Sequence, residues 1–329
     1  MSQAHSTDRD AGPRGAAALW QALRPAHWIK NAFVAAPLLF SMRFTDAASW
    51  LLTAAAVAAF CLASSAIYLI NDLRDRDRDR RHPVKRLRPI ASGRLAPGVA
   101  RAGAVVLLGM AAGIVGVTEA LTPRPSALLG GHALLTWTAA YVALNVLYTF
   151  WLKDLFVVDV LVVAFGFVLR AMAGAAAIAV PISPWLVVCT LSLCLFIALA
   201  KRRSELGELP PADAAAARPV NRAYDARQLD HMLTVSTAMA ILTYTLYCLS
   251  PQTVGRLGSA HMVWTVPLVI YGMFRFERLT RRAGASDPVA VLVRDAVMWL
   301  VLAAYVLLTV AVLLFGDRPA VRDILLFSK

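Results

Sequence analysis

Cysteine is scarce in this chain, and its placement excludes more than it offers. The four cysteines, Cys61, Cys189, Cys194 and Cys248, all lie inside apolar runs without paired spacing. Neither a disulfide framework nor a zinc site follows, and small buried hydrophobes is their expected role. The six histidines, His5, His27, His82, His132, His231 and His261, show no metal-ligand spacing. No P-loop, no G-x-G-x-x-G turn and no nucleophile elbow occurs, which leaves out the common phosphate-cradling and acyl-transfer devices. Internal repeats are absent. Residues 1–18 lack the apolar stretch of a cleavable leader and are expected to form a disordered polar tail.

Charge is thin as well, at 16% of residues against 59% hydrophobic. With a mean hydropathy of +0.62, the composition is that of an all-α polytopic membrane protein. Nine apolar segments approach the roughly 20 residues that a bilayer requires: 28–44, 50–70, 97–119, 127–150, 155–179, 183–200, 231–250, 259–276 and 293–315. The first is short and interrupted by Lys30, Asn31 and Pro37. Loops this short hold no soluble domain, so 19–329 reads as one transmembrane helical bundle. Its opening stretch, 19–28, carries Trp20, Arg24 and Trp28 and reads as a short interfacial helix.

A net charge of +13 could point to nucleic acid, but its distribution points elsewhere. With the N-terminus inside, only Arg43, Arg124, Arg256, Arg318, Arg322 and Lys329 fall on the outer side, while Arg101 and Arg170 lie within spans. The other Lys and Arg are cytoplasmic, which sets the N-terminus inside and the C-terminus outside. The basic balance therefore reports orientation and affinity for anionic lipid or phosphate, and no nucleic acid is expected.

The polar residues that break into the apolar pattern carry the chemistry. Asn71-Asp72-Leu73-Arg74-Asp75-Arg76-Asp77-Arg78-Asp79 begins where the second span should end. If the helix continues, side chains rotate by about 100° per residue. Asp72, Asp75 and Asp79 then share one face with Asn71 beside them, and Asp77 points away. Three acids converging at a membrane boundary suit a hard cation such as Mg²⁺, which keeps waters and shares its shell with substrate phosphates. The alternative is a solvated helix end with each Asp paired to a neighbouring Arg; carboxylates this close to hydrocarbon are costly without a use.

Cations follow. Residues 80–93 form a basic loop stiffened by Pro83 and Pro89, from which Lys85, Arg86 and Arg88 are placed to clamp a diphosphate against the acids. Arg74, Arg76 and Arg78 read as ion-pair partners or lipid-facing groups. Tyr148, Lys153 and Asp159 surround a short cytoplasmic turn. Arg170 lies eleven residues, about three helical turns, beyond Asp159 and shares its face; a charge that deep faces a bundle interior or forms a buried pair. Lys201, Arg202 and Glu205 end the sixth span, where ordinary positive-inside termination would also supply them. Lys30 and Asn31 sit at the mouth of the first. All of these fall on the cytoplasmic side, which points to one inward-open cavity.

The pattern Asn71, Asp72, Asp75, Asp79 is similar to the NDxxDxxxD motif of the UbiA-type intramembrane prenyltransferase superfamily. The stretches Arg24-Pro25…Trp28-Ile29-Lys30-Asn31 and His82-Pro83-Val84-Lys85-Arg86-Leu87-Arg88-Pro89-Ile90-Ala91-Ser92-Gly93 narrow the likeness. Together with Tyr148…Leu152-Lys153, Leu169 to Gly174 and Lys201-Arg202…Glu205-Leu206, they resemble the decaprenyl-phosphate phosphoribosyltransferase branch over about residues 20–315. The resemblance implies nine transmembrane helices around a central cavity open to the cytoplasm, in a bacterial inner membrane. It implies transfer of 5-phosphoribosyl from phosphoribosyl pyrophosphate (PRPP) to a polyprenyl phosphate, with release of pyrophosphate. Mg²⁺ would lie on Asp72, Asp75, Asp79 and Asn71, with Lys85, Arg88 and Lys153 on the leaving group. Lys201, Arg202 and Lys30 would serve the sugar 5-phosphate, and a homo-oligomer is compatible with the family. Asp159 departs from the family where some relatives carry Glu.

Two other readings stand beside this one. A prenyltransferase acting on an aromatic acceptor would need a second acidic pair after the sixth span, where the chain offers only Asp225 and Asp230 at a spacing that does not repeat the motif. A transporter of an anionic lipid or sugar phosphate would spread polar residues through the membrane depth, whereas here they gather at one mouth with Arg170 as the deep exception. The face assignment has a direct check. In a transfer assay, Asp72→Ala and Asp75→Ala are expected to abolish turnover and Asp77→Ala to keep most of it; equal loss from Asp77→Ala would refute the helical register.

Overall fold

The computed structural model describes residues 15–82, 84–122, 133–181, 183–208, 219–282 and 295–316. Among them every regular element is a helix. Seven helices are long and apolar enough to cross a membrane, and the chain is an integral membrane protein. Two of the nine expected spans are built differently. Segment 28–44 is a 3-10 stretch, Pro25–Asn31, followed by the nine-residue helix Ala32–Phe40. Pro37 removes a backbone donor inside that helix, and Met42 then turns left-handed at φ 59°. Segment 259–276 is a 3-10 stretch, His261–Thr265, leading into the 17-residue helix Val266–Arg282. At the N-terminus, helix α1 spans Ala16–Leu23, starting inside the expected tail; residues 1–14 lie outside the described residues.

The contacts divide the chain into two compact units: Met1–Lys153 with Leu169–Val180, and Asp154–Val168 with Pro181–Lys329. In the first unit the central helix is α3, Ala47–Arg74, numbered after α2, Ala32–Phe40. Asp46 caps it, accepting from the Ala48 and Ser49 amides at 3.1 and 3.2 Å; a side-chain acceptor there satisfies donors that the first turn leaves unpaired. Small residues carry its packing. Ala56, Ala59, Ala63 and Ala66 are fully or almost fully buried, which lets neighbouring backbones approach closely, as apolar surroundings that reward tight packing demand. Around them Val34, Phe60, Val115, Leu134, Tyr141 and Leu169 fill the core.

A second polar pattern runs along α3. Cys61, Ser64, Ser65, Tyr68 and Asp72 recur at helical spacing on one face, and the N-terminal segment is laid against it. Asn31 donates to Cys61 Sγ and Ser64 Oγ. Trp28 Nε1 donates to Ser65 Oγ at 3.0 Å, and Ser65 Oγ donates to the Leu23 carbonyl. His27 Nδ1 lies 3.3 Å from the Tyr68 hydroxyl, and Arg24 reaches Asp72. In the second unit, Phe196, Leu199, Val220, Leu229, Leu233 and Phe276 form a separate core.

One close approach in the first unit is set by a glycine. A Cβ added at Gly174 would lie 1.9 Å from the Val34 carbonyl oxygen, inside any allowed contact. Gly174→Ala is therefore expected to force this crossing apart at a cost of about 1–3 kcal/mol, read as a lower unfolding temperature. Gly103→Ala meets only the flexible ends of Leu69 at 3.4 Å and Leu19 at 3.8 Å and is expected to leave that temperature nearly unchanged.

Candidate active site

The acids follow α3 through a single irregular residue. Asp75 leaves helical dihedrals (φ −91°, ψ 3°) between α3 and the short helix α4, Arg76–Arg80. The i→i−4 bonds nonetheless continue, from the Asp75 amide to the Asn71 carbonyl at 2.9 Å and from the Asp79 amide to the Asp75 carbonyl at 2.8 Å. The register survives the kink. Asp72 and Asp79 are each 2% exposed, whereas the Asp77 side chain is 81% exposed. Asp75 and Asn71 are half-buried.

Each inward acid meets a cation. Arg24 Nη2 donates to Asp72 Oδ1 at 2.6 Å. Arg88 Nη1 bridges two acids, 3.2 Å from Asp72 Oδ1 and 2.7 Å from Asp79 Oδ2. Lys153 Nζ, itself buried, pairs with Asp75 Oδ1. Burial pushes the Asp79 carboxyl above its ordinary range, and Arg88 pulls it back in part. In the basic loop, His82 Nδ1 accepts from the Val84 and Lys85 amides, both at 3.2 Å. Burial, then the Lys85 and Arg88 charges, hold its imidazole below the usual histidine range, in keeping with a neutral ring that accepts at Nδ1. Lys85 is half-buried; Arg86 is exposed.

Among the described residues no three His, Cys, Asp or Glu side chains gather to enclose a metal ion, so Asn71, Asp72, Asp75 and Asp79 do not form one all-protein cage. The donor set still fits Mg²⁺. Oxygens of Asp72 and Asp79 converge on the single nitrogen of Arg88, and Asp72 Oδ2 is buried without a hydrogen-bond partner, an unmet acceptor that an ion or its water would satisfy. Mg²⁺ is commonly held by one or two carboxylates plus substrate phosphates, with the rest of its shell water.

Deeper in the first unit, Arg170 Nε donates to Asn31 Oδ1 at 2.9 Å and its Nη2 to the Tyr141 hydroxyl at 2.8 Å. The guanidinium carbon lies 4.6 Å from the Tyr141 ring centroid. Asn31 is fully buried. These residues join the 3-10 stretch Pro25–Asn31, α3 and the helices Ala133–Phe150 and Val158–Ala177 from within. Tyr148 is half-buried in the last turn of helix Ala133–Phe150, and Lys30 is half-buried in the N-terminal 3-10 stretch.

The second unit has its own buried network. Asp159, fully buried, accepts from Arg202 Nη2 and from the Tyr224 hydroxyl, both at 2.6 Å. Arg202 also donates to Glu205 Oε2 at 2.5 Å and to Asn221 Oδ1 at 3.4 Å. The Tyr224 hydroxyl accepts from the Val157 amide at 3.0 Å, bracing a β-branched residue at φ 64°, a costly conformation. Burial and the adjacent Asp159 keep the Tyr224 phenol well above its usual range, so it stays a donor. Lys201 is exposed. Asp159 and Arg170 share a helix, but their bonded partners come from different units.

Sequence reasoning missed Tyr68, Tyr141, Asn221 and Tyr224, and quoted Arg24 within a matching stretch without giving it a role at the acids. Arg24 had a signal, since Pro25 fixes the turn beside it; Tyr141 reads as ordinary core. Arg202→Gln is expected to leave Asp159 buried without its cation, costing about 3–5 kcal/mol. Thermal unfolding in detergent checks this, and a drop no larger than that of an exposed Arg86→Gln would refute it.

The chain is similar to known proteins over most of its length. The model of the UbiA prenyltransferase family matches residues 32–301. The decaprenyl-phosphate phosphoribosyltransferase of Mycobacterium tuberculosis (strain H37Rv) is 32% identical over 302 residues, covering 90% of this chain and 94% of that protein. That of Corynebacterium glutamicum is 32% identical over 295 residues, covering 87% and 83%. A UbiA homolog from Archaeoglobus fulgidus, solved bound to GPP and Mg²⁺, has the same fold, with a TM-score of 0.63 at 16% identity over 90% of this chain and 99% of that one. An acid-bearing helix end inside an all-helical membrane fold, matched over most of its length, places this chain in the UbiA prenyltransferase family.

Proposed function

We propose that this protein transfers 5-phosphoribosyl from PRPP to a polyprenyl phosphate, releasing pyrophosphate, in a Mg²⁺-dependent reaction at the cytoplasmic face of a bacterial inner membrane. The observation that carries the reading is the set of acids paired with cations at the end of α3, in a chain that resembles proteins named decaprenyl-phosphate phosphoribosyltransferase along nearly their full length.

The chemistry asks little of a general base. The acceptor is already an anionic phosphate, and the demanding step is departure of diphosphate from the anomeric carbon. Asp72 and Asp79 would hold Mg²⁺, whose positive charge stabilises the leaving diphosphate. Arg88, paired with Asp72 and Asp79, and Lys153, paired with Asp75, would meet diphosphate oxygens, and their charge grows in value as negative charge builds on the leaving group. Bond breaking then runs ahead of bond making, with an oxocarbenium-like ribosyl centre that the polyprenyl phosphate oxygen captures. Lys30 is a further cation for the 5-phosphate. Arg202, enclosed by Asp159, Glu205 and Asn221, is better suited to positioning than to phosphate contact.

Isoprenyl transfer to an aromatic acceptor fits less well. Asp225 caps helix Ala226–Leu249 by accepting from the Arg227 and Gln228 amides, and Asp230 pairs with Arg203 at 3.0 Å. Neither is set up as a second diphosphate-binding acid pair. Purified protein given radiolabelled PRPP, polyprenyl phosphate and Mg²⁺ is expected to yield lipid-linked phosphoribose, and EDTA is expected to abolish it. Product formed only from a prenyl diphosphate and an aromatic acceptor would overturn the proposal.

A further inference from the structure

Two arginines from distant parts of the chain donate to one oxygen. Arg24 Nη2 and Arg88 Nη1 lie 2.6 and 3.2 Å from Asp72 Oδ1. Serving a single oxygen from two sides requires the main chain behind each arginine to keep its place, which takes supporting contacts of its own. Helix α1, which leads to Arg24, has eight residues, too few to be stable alone.

Apolar packing supplies only the base. Ile90 and Leu95 are buried with Ala18 and Ala22 of α1 and with Ala66 and Leu69 of α3. Between Ile90 and Leu95 the chain reverses. Gly93 takes the left-handed conformation at φ 81°, which glycine adopts without steric cost, and the Leu95 amide donates to the Pro89 carbonyl at 2.9 Å. The reversal returns Arg94 to the side of Leu87, which is itself 60% exposed and so is not held by packing. Arg94 holds it instead. Its Nη2 donates to the Leu87 carbonyl at 2.5 Å and its Nε to Ser92 Oγ at 3.1 Å. Its Nη1 donates to Gln21 Oε1, in the last turn of α1, at 3.0 Å. Three nitrogens of one planar group thus grip three separate pieces of chain, with their relative directions fixed by the guanidinium.

The contacts close a ring. Leu87 directly precedes Arg88, and Gln21 stands three residues before Arg24. From Arg94 the path runs through Gln21 and Arg24 to Asp72, and back through Arg88 and Leu87. We propose that Arg94 is a positioning residue, a clasp between the basic loop and α1 that sets the spacing of Arg24 and Arg88. It acts on substrate through those two arginines. The ring fixes main chain only, so the guanidinium heads of Arg24 and Arg88 keep their own torsions and can turn from carboxylate to ligand. The inference rests on the proposed function for the reaction in which it is read.

In the transfer assay, Arg94→Ala is expected to raise the KM for PRPP by about tenfold, the scale of an ordinary hydrogen bond lost from support of the site. Its kcat and unfolding temperature are expected to stay near those of the parent, since binding shared by ground and transition states appears in KM alone. Arg94→Lys, which keeps the charge and loses the fork, is expected to show most of the same rise. Gln21→Ala is expected to show a smaller one, and the double variant Arg94→Ala with Gln21→Ala no more than Arg94→Ala alone, because contacts within one clasp do not add. Hydrogen–deuterium exchange over residues 84–94 is expected to quicken in Arg94→Ala and to stay parental in Arg101→Ala, an exposed cation of the next helix. A parental KM in Arg94→Ala, full recovery in Arg94→Lys or additive effects in the double variant would overturn the proposal, as would loss of kcat in step with unfolding temperature. If Arg94→Ala does not fold, Gln21→Ala decides, and an unchanged KM there sinks the clasp. Should the parent transfer no phosphoribose, the proposed function fails, while unchanged exchange in Arg94→Ala separately refutes the clasp.

Discussion

Two carboxylates buried at the end of a membrane helix set the terms for the first unit. Asp72 and Asp79 sit where desolvation penalises charge heavily, and both are 2% exposed. They persist because Arg24 and Arg88 meet them directly. Pairing of this kind rarely adds net stability over an apolar substitute, so its presence calls for a functional reason. The unpartnered Asp72 Oδ2 supplies one, since it is an acceptor kept ready for something the protein chain does not itself provide.

The rest of the first unit is arranged to hold that pairing. Alanines along α3 bring helices close, and the polar stripe from Cys61 to Asp72 fixes the N-terminal segment against it. The stripe ends at the acid motif, so the segment that seals the helix face also delivers Arg24. Arg170 acts from the other direction, joining Asn31 and Tyr141 in the interior. In the second unit Asp159, Arg202 and Tyr224 form a network of their own that braces the strained turn at Val157 and leaves Arg202 Nε buried without a hydrogen-bond partner. Buried networks are worth keeping only when nearly every member is satisfied.

Much of this was legible in the chain itself. Apolar segment lengths marked the seven long helices, and the helical spacing of Asp72, Asp75 and Asp79 singled out Asp77 as the odd acid. The motif from Asn71 onward was specific enough to name the superfamily. Less visible were the partners. Arg24 stands 48 residues from Asp72 in sequence, and no local pattern announces so distant a pair. Tyr141 and Tyr224 look like core aromatics until a buried charge turns their hydroxyls to use. Asp159 and Arg170 share a helical face by spacing, yet each is drawn to a different partner set.

Composition and periodicity alone determined that this is a helical membrane protein with an acidic helix end, because lipid admits few backbone solutions and the helical repeat decides which side chains share a face. Only the tertiary structure decided which cation neutralises which acid, that Arg202 is enclosed and not offered outward, and that Arg24 reaches Asp72. Those outcomes depend on contacts between residues far apart in the chain, where packing geometry and desolvation, not local preference, select the partner.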